Sequence, residues 1–405
     1  MIDDLAARLR YSLGQQERIL RSSLILNPVE NIPFGEDIAV LSSPLHGLYN
    51  TDKVRTRGER IKTNMQFAGR HALEADSRAI YTAWAAALHA EDVSLRVLSG
   101  LHAHIVFFMS MTRPGQTVLL LPERAGGHVS AKAILERLGL VVTEMIVDDI
   151  GQRVNMADTL ALCEKSPPDY VFVDRSEGLV YEDFSPLAGV AKEHTIFDGS
   201  QYLTNIVCGD HPNPLDWGFD YIVASVHKNF PGPQKALLAT RVADDDWKRI
   251  LSGVSVFVSN MHTASTYAAG LTLARREWLS RYSRTMLTTA VRLEEELAEL
   301  GVPVVRRPKD CMPTHHVWIG ERNRVTAFET YERLEQCRIM ANFRLLPYDL
   351  GYGLRLGVNA AVRLGLNEND TPRLAELIAD IRRLGATPTN ENEARAFNEM
   401  IWDRA

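Results

Sequence analysis

Tyr221-Ile222-Val223-Ala224-Ser225-Val226-His227-Lys228, followed at once by Asn229-Phe230-Pro231-Gly232-Pro233-Gln234, is the stretch whose reading decides the fold. Its apolar run fits a strand buried on both faces, and the Pro-Gly-Pro turn ends it. Around it strand and helix alternate. Strands are predicted at 93–98, 118–121, 141–146, 170–173, 195–197, 221–224 and 236–240, with helices at 129–138, 156–163 and 187–192. This alternation predicts an α/β fold with a large, mostly parallel sheet covered by helices, whose ligands bind beyond the carboxyl ends of the strands. Before it, 3–21 reads as an amphipathic helix with Leu5, Leu9, Leu13 and Ile19 or Leu20 on one side, and 73–90 as a strongly periodic helix. After about Val258 the pattern becomes one long helical stretch, 264–300. A smaller C-terminal α+β region follows, with strands at 302–306, 316–319 and 354–358, helices at 324–337 and 371–383, and a closing helix in 387–405. The expected organisation is an arm (1–30), a large domain (31–262), a connecting helix (263–300) and a small domain (301–405).

The 405 residues carry 51 acids and 45 bases, a net charge of −6 without long blocks of one sign, so nothing attracts nucleic acid or anionic lipid. Cys163, Cys208, Cys311 and Cys337 lie far apart and read as reduced thiols, not a disulfide framework. With neither a leader-like apolar region nor a membrane-length run, a soluble, cytoplasmic protein is expected, with no metal.

Upstream of the opening stretch, Thr195-Ile196-Phe197-Asp198 is another short apolar run, and it ends in an acid. A lysine and an acid, each just past a strand of one sheet, suit pyridoxal 5'-phosphate. The Lys228 amine forms the Schiff base, and the Asp198 carboxylate keeps the pyridine nitrogen protonated. Ser99-Gly100 follows the first sheet strand and opens a helix, where backbone and hydroxyl donors can hold a phosphate. Gly126-Gly127-His128 also follows a strand and starts a helix, so His128 is either a helix-cap histidine or an imidazole lying against the cofactor ring. Arg355, in Gly353-Leu354-Arg355-Leu356-Gly357, needs an anionic partner among apolar neighbours; a substrate carboxylate or a structural glutamate would each serve.

These residues resemble the serine hydroxymethyltransferases and their relatives among the fold type I pyridoxal phosphate enzymes. Asn27-Pro28-Val29-Glu30-Asn31 is similar to the family's N-terminal Ser-Glu-Asn segment, which makes Glu30 and Asn31 substrate-site candidates beside Arg355. The resemblance makes Ser99 and Gly100 the phosphate loop, His128 the ring-stacking histidine, Ser176 a neighbour of the cofactor O3′, Asp198 the pyridine partner and His227-Lys228 the Schiff-base pair. Ser225, Gln201 and Gly232 join the cofactor-binding set. The family's Tyr-Ala-Glu-Gly-Tyr segment aligns with Leu48-Tyr49-Asn50-Thr51-Asp52, which keeps Tyr49 as a catalytic candidate but has no glutamate. The family's Asp-x-x-His turn is Asp198-Gly199-Ser200-Gln201 here, and glutamine cannot take a proton near neutral pH.

The resemblance implies chemistry at Cα of an amino acid through an external aldimine and quinonoid: aldol-type Cα–Cβ cleavage or exchange without folate. His227 to Lys235 and Arg355 to Ala360 are similar to the threonine transaldolase branch. Relatives in lincosamide antibiotic pathways imply the alternatives of decarboxylation with oxidative deamination, or β-elimination of an S-conjugated cysteine. A fold kept only to bind the cofactor is a further reading. The resemblance also implies a homodimer with shared active sites, to which the 30s–60s segment and the loop after Val258 would contribute. The basic stretch 53–62 would be either an entrance for an anionic substrate or a solvated loop.

Overall fold

The structure, a computed structural model, describes residues 2–51, 56–62, 67–308 and 311–404. The chain forms two compact units, one of Met1–Glu30, Thr285–Lys309 and Pro313–Ala405, the other of Asn31–Arg284 with Asp310–Met312. It opens with helix α1 (Ile2–Arg21), whose Leu5, Leu9 and Leu13 form an exposed stripe at four-residue spacing.

The larger unit is built on seven strands: β1 (Asp92–Ser94), β2 (Thr117–Leu120), β3 (Val141–Glu144), β4 (Tyr170–Val173), β5 (His194–Asp198), β6 (Tyr221–Ser225) and β7 (Ala236–Thr240). Their order is β1-β7-β6-β5-β4-β2-β3. From β6 to β3 all neighbours are parallel, while β7 runs antiparallel to both β6 and β1, which makes the sheet mostly parallel as expected. Helices α2 (His71–Ala87) and α3 (Gly100–Met111) precede and follow β1. Val106, Phe107, Phe108 and Met111 of α3 pack with Val118, Phe172, Ile196, Tyr221, Val223 and Leu238 in a buried core. Register places Val173 beside Phe197 and Val223 beside Asp198. Asp174 and Asp198 therefore leave the sheet on adjacent strands, at the end where the β6 chain runs on to Lys228.

Three sequence expectations need correction. Of the strand predicted at 93–98 only the part in β1 is regular; beyond Ser94 the chain still meets β7 where the Ala236 N–H donates to the Val97 carbonyl at 3.2 Å, and then turns to open α3. No helix forms at 187–192. Ser185–Leu187 is a single 3₁₀ turn, and Gly189, at φ +73°, takes a left-handed conformation that ends helical propagation. The stretch 264–300 is two helices, α4 (Thr263–Ala274) and α5 (Arg276–Glu299). At the break, the Arg275 guanidinium pairs with Glu36 at 2.6 Å and buried Asp37 at 3.3 Å and lies 4.2 Å above the Phe34 ring. The boundary between the compact units falls within α5.

The smaller unit has a four-stranded antiparallel sheet of β8 (Val304–Val305), β9 (His316–Gly320), β10 (Asn342–Leu346) and β11 (Gly351–Gly357), in the order β8-β9-β11-β10. Helices α6 (Arg324–Gln336), α7 (Thr371–Leu384) and α8 (Pro388–Trp402) complete it. Strand β10 escaped the sequence reading because most of it is only half-buried at the sheet edge. Among the described residues no helix is long and apolar enough to cross a membrane. All four cysteines are free.

The turn that carries His128 is fixed by two glycines. Gly126 adopts φ +88°, and a Cβ on it would lie 1.9 Å from the Glu177 carbonyl oxygen; one on Gly127 would lie 2.2 Å from that of Leu121. Gly189 has a similar φ but open space around it. Gly126→Ala is therefore expected to cost about 2–4 kcal/mol, from left-handed strain plus backbone overlap, and Gly189→Ala only about 1 kcal/mol. Denaturant unfolding of the two variants checks this difference, and equal losses would contradict it.

Candidate active site

At the start of α3, Ser99 is the N-cap, and its hydroxyl accepts the His102 backbone N–H at 3.2 Å. The Gly100 N–H donates to Ser225 Oγ at 3.2 Å, and the Ser225 N–H donates to Ser200 Oγ at 2.8 Å. A Cβ on Gly100 would lie 2.6 Å from Ser225 Oγ, so the close approach of these groups requires glycine. Three hydroxyls thus gather at the positive end of a twelve-residue helix, a cradle suited to a phosphate.

The carboxyl ends of β4 and β5 supply a buried ionic cluster. Asp198 Oδ2 lies 2.6 Å from His104 Nε2, and Asp198 Oδ1 accepts the Ser200 N–H at 2.7 Å. On the other side of the imidazole, His104 Nδ1 is 4.0 Å from Asp174 Oδ2, whose partner oxygen accepts from Ser176 Oγ at 3.3 Å. All three ionisable side chains are buried. Burial alone would raise Asp198, but the His104 hydrogen bond, the His104 charge and the Lys228 charge bring it down to about 2. Burial would lower His104; the hydrogen bond and charge of Asp198, with the charge of Asp174, raise it instead. Burial and the Asp198 charge push Asp174 up to about 7. The three groups also have ligand atoms within 4.8 Å of one another. The hydrogen bond to Asp198 already engages the imidazole nitrogen that faces it, so the geometry favours a proton network over a cation.

Lys228 follows β6, and its charge acts on Asp198, Asp174 and His104. Its carbonyl accepts from Asn31 Nδ2 at 2.6 Å, and Asn31 also reaches Tyr282 Oη at 3.0 Å. The preceding His227 has Nδ1 3.2 Å from the Lys235 carbonyl; burial, aided by the Lys228 charge, lowers it to about 4 and leaves a neutral imidazole at pH 7. Gly232 donates its N–H to the Val226 carbonyl at 2.9 Å, and a Cβ there would come within 2.5 Å of the same oxygen. The loop after the lysine is thereby folded back on β6. His128 is half-buried, with its ring centroid 6.2 Å from that of His104 and edge-on to it at 87°. Gln201 is buried three residues after Asp198, in the turn that leads to helix Leu203–Cys208.

The structure thus gathers Asn31, Ser99, Gly100, His128, Ser176, Asp198, Gln201, Ser225, His227, Lys228 and Gly232 within the larger unit. Tyr49 has other neighbours: its ring packs on Phe67 at 4.7 Å and its carbonyl accepts from Arg70. The adjacent Asn50 is clamped to the loop after Val258 through Asn260 and Met261. Asp52 and residues 53–55 of the basic stretch lie outside the described residues; Arg57–Ile61 is a short helix with a Thr56–Glu59 capping box. In the smaller unit, Arg355 is buried and donates from Nε to Asn342 Oδ1 at 3.1 Å, and the Glu30 carbonyl accepts from Asn359 Nδ2 at 2.6 Å.

His104, Asp174 and Ser200 escaped the sequence reading. His104 sits in the largely apolar α3 and looks like a core histidine. Asp174 repeats the Asp198 pattern, an acid directly after an apolar strand, and that was the available signal.

A phosphate cradle, a buried acid and a nearby lysine match the anion, the basic ring nitrogen and the aldehyde of pyridoxal 5'-phosphate, and Gly100 keeps the cradle open where a Cβ would fill it. Fold and site together define a pyridoxal phosphate-dependent enzyme of fold type I. The serine hydroxymethyltransferase family profile matches residues 12–378. The chain belongs to that family, and pyridoxal 5'-phosphate is its cofactor. It is 29% identical over 353 residues to a serine hydroxymethyltransferase from Pyrobaculum neutrophilum, covering 84% of this chain and 82% of that one. A fluorothreonine transaldolase from Streptantibioticus cattleyicolor is 28% identical over 386 residues, 94% of this chain and 59% of the relative. The fold is shared with an L-threonine transaldolase from Pseudomonas fluorescens at a TM-score of 0.90 and 21% identity, over 98% of this chain and 92% of that one.

The raised Asp174 has a stability signature. Between the ordinary carboxylate range and about pH 7 the folded protein holds a proton that the unfolded chain releases, so this group's contribution to stability falls as pH rises through that window. Asp174→Asn removes the effect. The stability of the variant relative to wild type is expected to climb from about pH 4 to about pH 7, at no more than about 1.4 kcal/mol per pH unit, and then level off. Thermal unfolding across pH checks it; a difference that is flat with pH would contradict it.

Proposed function

We propose that this enzyme cleaves or exchanges the Cα–Cβ bond of a β-hydroxy amino acid in a threonine transaldolase-like reaction that does not need folate. The observation that carries this reading is the segment at Tyr49-Asn50. Where the family resemblance places a proton-handling glutamate for folate chemistry, Asn50 is fully buried, with its amide on Met261 Sδ at 3.1 Å, and no acid stands among the described residues 48–51. The likeness to a fluorothreonine transaldolase over 94% of the chain supports the same choice.

Bound pyridoxal phosphate supplies an aldehyde that condenses with amines and a ring that draws electrons from Cα. In the proposed arrangement Ser99, Gly100 and Ser225 hold its phosphate, His128 lies against the ring, and Ser176 and Gln201 donate toward its O3′ side. Asp198 holds a proton at the ring nitrogen. Lys228 would hold the cofactor through Nζ and, as a free amine, would take up and return the proton of the substrate hydroxyl. His227, neutral at pH 7, adds no competing positive charge beside that amine. Arg355 is the proposed fork for the substrate carboxylate, with Glu30 and Asn31 as neighbours on the chain segment preceding the site. Tyr49 is proposed as a proton carrier contributed across a homodimer, together with the 260–262 loop that clamps its neighbour. The exposed leucine stripe of α1 supports a partner-packed arm, since an apolar face of this kind is stabilised by covering. A cytoplasmic enzyme of specialised, natural-product metabolism is the setting that fits.

Incubation with L-threonine and a second aldehyde, with no tetrahydrofolate, is expected to release acetaldehyde and form a new β-hydroxy amino acid. Lys228→Ala is expected to lower the rate at least about 10³-fold. Strict dependence on folate would overturn the proposal, as would carbon dioxide with ammonia, or a thiol with pyruvate, as the products from other amino acids. Gel filtration is expected to return an active dimer, and an active monomer would remove the shared-site role of Tyr49.

A further inference from the structure

We propose that Asp174, acting through His104, is a positioning residue that sets how strongly Asp198 holds the proton on the cofactor's ring nitrogen, and so makes the site respond to pH near neutrality. The inference rests on the reading of Asp198 as the partner of that nitrogen.

Two carboxylates flank one imidazole in a dry pocket. His104 is 2% exposed, Asp174 1% and Asp198 5%. The Lys228 charge acts on all three; His128 stands edge-on to His104, and Phe172 walls the imidazole at 4.9 Å. Burial disfavours the charged form of each carboxylate, and the two repel one another across the imidazole, so the acid that is less well held takes a proton. Geometry decides which. Asp198 has the 2.6 Å contact with His104 and the Ser200 N–H at 2.7 Å, both favouring its ionised form. Among the described residues, Asp174 has only the Ser176 hydroxyl, at 3.3 Å, and its Oδ2 and His104 Nδ1 face each other at 4.0 Å, both buried and neither with a hydrogen-bond partner there. Asp174 is therefore the acid that carries the proton, and the direction of its titration agrees.

When Asp174 is neutral, the whole charge of His104 is spent on Asp198. When Asp174 ionises, the imidazolium is shared between two carboxylates, Asp198 becomes more electron-rich, and it holds a proton on the nitrogen opposite it more tightly. The relay is laid down in sequence by paired endings, Val173-Asp174 and Phe197-Asp198, on strands that are neighbours in register.

The test is the nitrogen resonance of holoenzyme loaded with ¹⁵N-labelled pyridoxal phosphate, followed from about pH 5.5 to about pH 8.5, a window around the titration of a strongly raised carboxyl. In wild type the resonance is expected to move in a single step near neutrality. Asp174→Asn, which is neutral at every pH, is expected to keep the low-pH resonance throughout with the cofactor still bound. A wild type without a step, or an Asp174→Asn enzyme that steps like wild type, overturns the inference, and the wild-type titration decides alone if the variant does not fold. Asp198→Asn separates the two claims. If it loses the protonated-nitrogen resonance, the reading of Asp198 stands whatever happens to the relay. If its resonance is unchanged, that reading falls and the relay with it.

Discussion

The hydrogen bond between His104 Nε2 and Asp198 Oδ2, 2.6 Å long and almost wholly buried, is the interaction on which the site depends. An ionised carboxylate taken into a protein interior costs several kcal/mol, and one charged hydrogen bond returns only about 1.5–3 kcal/mol. Asp198 stays ionised because further groups act on it together: the imidazolium, the Ser200 N–H and the Lys228 charge. Each sits on a different element. His104 is on α3, Ser200 in the turn after β5 and Lys228 beyond β6, so the elements must assemble together for the acid to remain charged once it is buried.

That coupling gives the backbone features their meaning. The parallel register of β4, β5 and β6 sets Asp174, Asp198 and the β6 ending at one edge of the sheet. Gly100 lets α3 come close enough for its first N–H to reach Ser225, and the same helix carries His104 one turn later. Gly126 and Gly127 admit backbone oxygens at distances no Cβ would tolerate, and they hold the turn of His128 against the 175–177 segment through a bridge between Gly127 and Arg175. The phosphate cradle and the acid cluster are therefore the two ends of one arrangement, joined by α3.

Much of this was legible in the residues, and the rest was hidden for identifiable reasons. Lys228 and Asp198 stood out because each ends an apolar strand, a position where a charged side chain needs a purpose. Asp174 has the same signature, yet a single sequence does not reveal that β4 and β5 are adjacent in register. His104 was invisible because a histidine in an apolar helix is ordinarily satisfied core; only the opposite strands show that its partners are acids. The surroundings of Tyr49 depend on Asn260 and Met261, more than two hundred residues away, and no local pattern carries that contact. The break at Arg275 likewise reflects acids at positions 36 and 37 and not any helix-breaking residue. Where local preference and tertiary contact agreed, as at β4 and β7, the predicted boundaries held.

The account stands most directly on which amine meets the cofactor. Two lysines lie close together in sequence here: Lys228, whose charge reaches the acid cluster, and buried Lys235, whose Nζ donates to the Met261 carbonyl at 2.8 Å. Borohydride reduction of the cofactor-loaded protein, followed by peptide mapping, should place the pyridoxyl tag on Lys228 alone. A tag on Lys235 or any other amine, or no tag on protein that has taken up the cofactor, would contradict the central claim.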